Sequence, residues 1–251
     1  MNIAGKHALV TGGGTGIGLA IARALAAEGA LVTVTGRRQS KLDEAAQTEG
    51  LFGQVIDVMD ERSVVDGIAS AVAARGPVQI CVPNAGIAEG RPLHKTDMDF
   101  WRTMMATNLD GAFLTIRESL TSMRETDWGR VIAISSIAGV KGLRGAPCYS
   151  ASKHGLIGLI KGLAADYLGK PYTFNALCPA YVDTDIVPQN IARIMQRTGM
   201  SEDEAHAVMD GANPHGRLIA PQEVAEAALW LCGAHSGSIN GQAIQIAGGE
   251  M

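Results

Sequence analysis

Tyr149 and Lys153 stand four residues apart in the run Tyr149-Ser150-Ala151-Ser152-Lys153. On a helix that spacing brings a phenol and an ammonium together. Such a pair is suited to moving a proton at a carbonyl oxygen. A phenol with its ordinary pKa of about 10 is a poor base near neutrality, and a neighbouring ammonium favours the phenolate. Two serines, Ser135 and Ser136, lie upstream. Either hydroxyl can donate to a carbonyl oxygen and stabilise negative charge developing there. On the residues alone the two are equivalent. His7, His94, His154, His206, His215 and His235 form no ligand-spaced cluster, so this chemistry is read without a metal.

A second constellation lies near the start of the chain. Thr11-Gly12-Gly13-Gly14-Thr15-Gly16-Ile17-Gly18 follows an apolar run and precedes an alanine-rich one. Gly12, Gly16 and Gly18 match three needs of a dinucleotide site: a tight turn, close approach of a pyrophosphate, and close helix–strand packing. Backbone N–H groups of Gly14, Thr15, Gly16 and Ile17 then face the anion at the helix start. The second apolar run ends in Gly36-Arg37-Arg38, where an acidic residue would accept from a free ribose diol. Arginines there suit a 2′-phosphate, which favours NADP(H) and leaves NAD(H) possible. A solvated basic turn is the competing reading. Asp57-Val58 closes the next run, and its carboxylate is placed to accept from an adenine amino group or to serve a turn.

Elements must position these groups. Short apolar runs at His7–Thr11, Leu31–Thr35, Val55–Val58, Val78–Val82, Val131–Ser135, Phe174–Cys178 and Ala243–Ala247 read as strands. Helical patterns lie between them, including 60–74, 97–124, 150–168 capped by Ser150 and stopped by Gly169, and 222–233 after Pro221. This alternation predicts an α/β chain, a doubly wound and mainly parallel seven-stranded sheet with helices on both faces. Period alone leaves the strand order open. Residues 1–251 read as one catalytic domain, in which 183–216 breaks the rhythm and predicts a substrate lid.

Composition supports this. The 251 residues are 47% apolar and only 18% charged, with net charge −4. That excludes a disordered chain and argues against a nucleic-acid partner. Cys81, Cys148, Cys178 and Cys232 form no CxxC pair, which fits buried thiols in a reducing compartment. No signal-peptide layout and no membrane-length apolar stretch is read, so a soluble, cytoplasmic protein is expected.

The combination resembles the short-chain dehydrogenase/reductase family of the compact type. The glycine turn, Asp57-Val58, Asn84-Ala85-Gly86, Asn108, Ser136, Tyr149 through Lys153, Pro179 and Thr184 carry the resemblance, from Gly12 to Gly249. It implies a Rossmann-type fold and hydride transfer between a nicotinamide cofactor and a carbonyl or secondary alcohol. It also implies roles. Ser136, rather than Ser135, orients the substrate oxygen; Tyr149 donates the proton; Lys153 holds the ribose and lowers the tyrosine pKa; Asn108 supports a water leading to Lys153. Asn84, Ala85 and Gly86 line the cofactor wall with Pro179 and Ala180, Val182 supports the carboxamide, and Thr184 bonds nearby.

Two positions depart from the family pattern. Pro83 stands before Asn84 where asparagine is usual, and Ala180 follows Pro179 where glycine is usual. Alanine fits unless a positive φ is required. The segment Asn213-Pro214-His215-Gly216-Arg217 resembles the 3-oxoacyl-thioester and polyketide ketoreductase branch. A substrate wall is expected from Ala138–Cys148, made adaptable by Gly139, Gly142 and Gly145, and from the lid. Arg193, Arg197 and Arg217 are candidates for a carrier phosphate, with a solvated face as the alternative. Other readings are an NAD-dependent secondary-alcohol, sugar or cyclic-alcohol dehydrogenase and an inactive nucleotide-binding regulatory protein. A homotetramer or homodimer is implied by the resemblance.

Overall fold

The structure is a computed structural model describing residues 3–184 and 187–250; the side chains of residues 189, 190, 193, 194 and 197 also lie outside the described set. Seven strands, β1 (His7–Thr11), β2 (Leu31–Gly36), β3 (Leu51–Val55), β4 (Val78–Val82), β5 (Gly129–Ile134), β6 (Tyr172–Pro179) and β7 (Ala243–Ile246), form one sheet in the order β3-β2-β1-β4-β5-β6-β7. Every pair is parallel. The order reverses between β1 and β4, so a crevice opens there at the carboxyl ends of the strands.

Helices cover both faces: α1 (Gly16–Ala27), α2 (Gln39–Ala45), α3 (Glu61–Arg75), α4 (Met98–Met105), α5 (Gly111–Met123), α6 (Pro147–Asp166), α7 (Val187–Thr198), α8 (Glu202–Asp210) and α9 (Pro221–Leu231). Successive strand residues enter opposite cores, as the two-residue period requires. Ala8, Val10, Ile80, Val82, Ile132 and Ile134 join Leu25 of α1 and Val224 of α9. Leu9, Cys81, Val131 and Ala133 join Ile116 of α5 and Ile160 of α6. Because both faces are buried, these strands are mostly apolar rather than strictly alternating. None of the described helices is long and apolar enough to cross a membrane.

The third strand departs from expectation. It covers Leu51–Val55 and ends before Asp57-Val58. It is an edge strand with mostly exposed residues around Gly53, so its hydrophobic signal is weak. Ile56 and Val58 are buried as they leave the sheet. The Asp57 carboxylate accepts from the Met59 N–H at 3.0 Å, closing the turn into α3. Helix α6 also begins earlier than expected, with Pro147 in its first turn. Ser150 is therefore no cap: its Oγ lies inside the helix and accepts from Leu143 N–H at 3.1 Å.

One threonine joins the two strands that flank the crevice. The Thr11 hydroxyl at the end of β1 accepts from the backbone N–H groups of Asn84 and Ala85, both at 3.0 Å. The Asn84 side-chain amide returns two bonds, to the carbonyls of Thr11 at 2.9 Å and Gly12 at 3.3 Å. The irregular backbone after β4 thus finds partners where no ladder continues. Thr11→Val keeps the shape and removes the acceptor. We expect a loss of about 1–3 kcal/mol, the cost of leaving buried donors unpaired, read by urea unfolding with ligand absent. A variant as stable as the parent would contradict this role for Thr11.

Candidate active site

The glycine turn is built for close approach. Gly12 and Gly16 have φ of +63° and +53°, the left-handed region that side chains disfavour. At Gly18 a Cβ would lie 2.4 Å from the Gly12 carbonyl oxygen and 2.5 Å from Asn84 Nδ2. Gly13 is equally constrained, since its Cβ would lie 2.8 Å from Val34 Cβ. That role went unseen in the sequence because it depends on β2 lying alongside.

Two connected depressions run along this edge. The smaller, of about 330 Å³, is lined by Gly12, Gly14, Thr15, Arg37, Arg38, Asp57 and Val58, among others. The larger, of about 750 Å³, continues past Gly16, Ile17, Asn84, Ser136, Tyr149 and Lys153 to Pro179, Ala180, Val182 and Thr184. Ala85 and Gly86 border both. These two depressions therefore bring together every predicted site residue except Gly18 and Asn108, which brace the turn and the wall from behind. The fit to a dinucleotide is favourable. A glycine cradle faces the large cleft, Arg37 and Arg38 are exposed with no ion pair among the described residues, and one oxygen of Asp57 remains beyond its turn bond.

Asn108 lies in a π-helical segment, Ala106–Asp110, between α4 and α5. It is 1% exposed. Its amide donates to the Ile87 carbonyl at 2.9 Å and to Ser152 Oγ at 3.1 Å, while its oxygen accepts from Ile87 N–H at 2.8 Å. The widened turn thus accompanies a side chain that fixes the wall after Gly86. A Cβ on Gly86 would stand 3.0 Å from the Asn108 oxygen.

The two serines line the same cleft but differ in their partners. Ser135 Oγ points into the packing and donates to the Lys153 carbonyl at 3.2 Å. Ser136 lies beside Tyr149 and influences its phenol, and its Oγ accepts from Ala138 N–H at 3.1 Å. Lys153 Nζ donates to the Ile134 carbonyl at 2.9 Å and stands 5.9 Å from the centre of the Tyr149 ring. Burial pulls the Lys153 pKa down to about 8. Tyr149 is raised, by burial first, with the Ser136 hydroxyl opposing. The expected lowering of the phenol by Lys153 is therefore absent in this geometry, because the ammonium is directed at a carbonyl and desolvation dominates.

The substrate side is mixed. Leu143, Arg144 and Ala146 line one wall, and Val187, Val208, Met209 and Ala212 the other. Helices α7 and α8 share a small core of Val187, Ile191, Ala205 and Met209. Gly139 is no adaptable hinge: its Cβ would lie 2.6 Å from Ser135 Oγ, whereas Gly142 and Gly145 face open space. Ala180 has no positive φ, so alanine is accommodated there. Pro83 lacks an N–H, but its carbonyl still accepts from Ile134 N–H at 2.9 Å. Arg217 is committed to Glu223, through two nitrogens at 2.7 and 3.0 Å. The Arg193 and Arg197 side chains lie outside the described residues. Residues that the sequence reading missed include Thr11, Ser152 and Tyr181; the first two act only through neighbours brought close by the fold.

Lys153 sets a pH signature. In the unfolded chain its pKa is about 10.5, against about 8 when folded. Between these values the unfolded state holds more protons, so stability rises with pH. Burying the charged ammonium is a full cost below pH 8 and fades toward 10.5. Urea unfolding of the ligand-free protein is expected to show the parent gaining on Lys153→Met across this window. A constant difference would contradict the burial of the charge.

The comparisons with known proteins agree with this geometry. The family model described as short chain dehydrogenase matches residues 6–194. An acetoacetyl-CoA reductase of Rhizobium meliloti (strain 1021) is 38% identical over 246 residues, covering 98% of each chain. A 3-oxoacyl-acyl-carrier-protein reductase of Aquifex aeolicus (strain VF5) is 32% identical, covering 99% of this chain and 98% of its own. Among solved structures, an actinorhodin polyketide ketoreductase variant with NADPH superposes with a TM-score of 0.93 at 33% identity, over 97% of this chain and 96% of that one. The strand order, the glycine cradle and full-length similarity to reductases lead to one conclusion: this chain belongs to the short-chain dehydrogenase/reductase family and is an oxidoreductase.

Proposed function

We propose that this protein reduces the ketone of a 3-oxoacyl thioester or a related compound with NADPH. The observation that carries the reading is the meeting of Ser136, Tyr149 and Lys153 on the wall of one cleft. The similarity to an acetoacetyl-CoA reductase supports the substrate class. A nicotinamide cofactor, when bound, supplies the hydride. Gly12, Gly14, Thr15, Gly16 and Ile17 cradle its pyrophosphate, with Gly18 packed behind them. Asp57 and Val58 border the adenine. Asn84, Ala85, Gly86, Pro179, Ala180, Val182 and Thr184 flank the nicotinamide half. Arg37 and Arg38 face a 2′-phosphate, to which guanidinium groups bond more specifically than ammonium.

The chain's own groups handle the proton and the developing charge. Ser136 donates to the carbonyl oxygen and opposes charge build-up there. Tyr149 delivers its phenolic proton to that oxygen. Its raised pKa keeps it protonated at neutral pH, which suits the reductive direction. Lys153, still mainly charged at pH 7, holds the cofactor ribose and replenishes the proton by a water path beside Asn108. Helices α7 and α8 act as a lid over the substrate. The whole chain works as one catalytic domain, in the cytoplasm. It is a homodimer or homotetramer, in which the exposed Gly158 and Gly162 surface of α6 lets a second copy approach.

Tyr149→Phe is expected to lower kcat by about 10²- to 10⁴-fold, the usual weight of a positioned acid, with NADPH affinity nearly unchanged. Turnover at the parent rate would remove Tyr149 as proton donor. Fluorescence titration is expected to show NADPH binding more tightly than NADH. Replacing both Arg37 and Arg38 with alanine is expected to reduce that preference by about tenfold or more, since each contact is a charge-assisted bond. Equal binding of NADH by the parent would instead favour an NAD-dependent alcohol dehydrogenase.

A further inference from the structure

We infer that Arg144 is a specificity-determining residue that holds a phosphate on the carrier arm of the substrate; this rests on the thioester-reductase reading above. The inference starts from the charges at the mouth of the larger cleft. Among the described lining residues, Arg144 and Lys153 are the cations. Lys153 is buried and bonded to the Ile134 carbonyl. Arg144 is exposed and has no ion pair among the described residues.

Three other cations, by contrast, each have a carboxylate partner. Arg91 pairs with Glu89 at 3.2 Å and lies over the Phe100 ring at 4.0 Å. Lys141 pairs with Glu250. Arg217 pairs with Glu223. Glu89, the acidic residue lining the cleft, is thereby occupied. Among the described lining residues, Arg144 is thus the guanidinium with no carboxylate partner.

Its backbone is held in place. Leu143 N–H donates to Ser150 Oγ at 3.1 Å, anchoring the loop to the first turns of α6. Ala146 N–H donates to the Leu143 carbonyl at 3.1 Å, closing a turn around Arg144. Across the cleft Gly90 approaches this turn so closely that a Cβ would lie 3.1 Å from the Gly145 carbonyl oxygen. The Lys141–Glu250 pair ties the preceding residues of the same loop to the segment after β7. A charge carried on a fixed turn loses less freedom on binding an anion than one on a mobile loop. Hydride transfer and proton delivery use none of this, so the cation is free to read the part of the substrate away from the ketone. A guanidinium suits phosphate through parallel hydrogen bonds.

The test uses three acetoacetyl thioesters with the same ketone: coenzyme A, phosphopantetheine, and pantetheine, which has no phosphate. With NADPH saturating, the parent is expected to show a KM about 5-fold lower for a phosphate-bearing thioester than for the pantetheine one, the scale of one exposed charge-assisted contact. Arg144→Ala should abolish that difference by raising the KM of the phosphate-bearing thioester, with the kcat values held. Arg144→Lys should keep part of it, and added salt should shrink it in the parent. Preference for coenzyme A alone would place the contact on its nucleotide phosphates. Equal preference for both phosphate-bearing arms would place it on the pantetheine phosphate, and either supports the assignment. Equal KM for all three in the parent, or a loss in Arg144→Ala shared by all three, would overturn the role of Arg144 and leave the reductase reading intact. Failure of all three to turn over, with a simple ketone still reduced, would overturn the thioester reading and the Arg144 role with it.

Discussion

Seven parallel strands end on the same edge, and that edge must be built from backbone that no longer has a ladder. Each loop leaving it carries N–H and C=O groups into a partly buried crevice, where an unpaired group is costly. Side chains supply the missing partners. Thr11 binds the backbone after β4, Asn84 binds the glycine turn, and Asn108 binds both polar groups of Ile87. Lys153 and Ser135 make the same kind of bond between β5 and α6. The groups placed for chemistry therefore share their supports with the fold itself.

This explains why some of the site was legible in the sequence and some was not. Tyr149 and Lys153 lie on one helix, so their spacing shows their proximity directly. The runs His7–Thr11 and Val78–Val82 are short, largely apolar and followed by glycine or proline, and both strands fall where those runs predict. The edge strand Leu51–Val55 has exposed residues and a glycine, so the stronger run after it drew the reading forward to Val58. Thr11 and Gly13 could not be singled out, because each depends on a strand far away in sequence. Nor could Arg217 be assigned to Glu223, which becomes its partner only once the turn before α9 is folded.

The electrostatics carry a related lesson. A tyrosine and a lysine one turn apart suggest mutual stabilisation of their charged forms. In the folded chain Lys153 is buried and Tyr149 half-buried, and desolvation is the largest influence on each, moving both toward neutrality. Ser136 offsets part of this for the phenol, while Lys153 is engaged by the Ile134 carbonyl. A phenol held in its protonated form is the form that the proposed reduction of a carbonyl calls for.

The same reasoning separates the inner and outer parts of the cleft. Inside, a charge is expensive, so the site keeps one ammonium and aims it at a backbone dipole. Toward solvent, water lowers that cost, and carboxylates neutralise Arg91, Lys141 and Arg217. A guanidinium left unpaired on a braced turn there lowers little of the fold's energy. It is well placed to meet an anion arriving from solvent, which is why its effect belongs in KM and not in kcat.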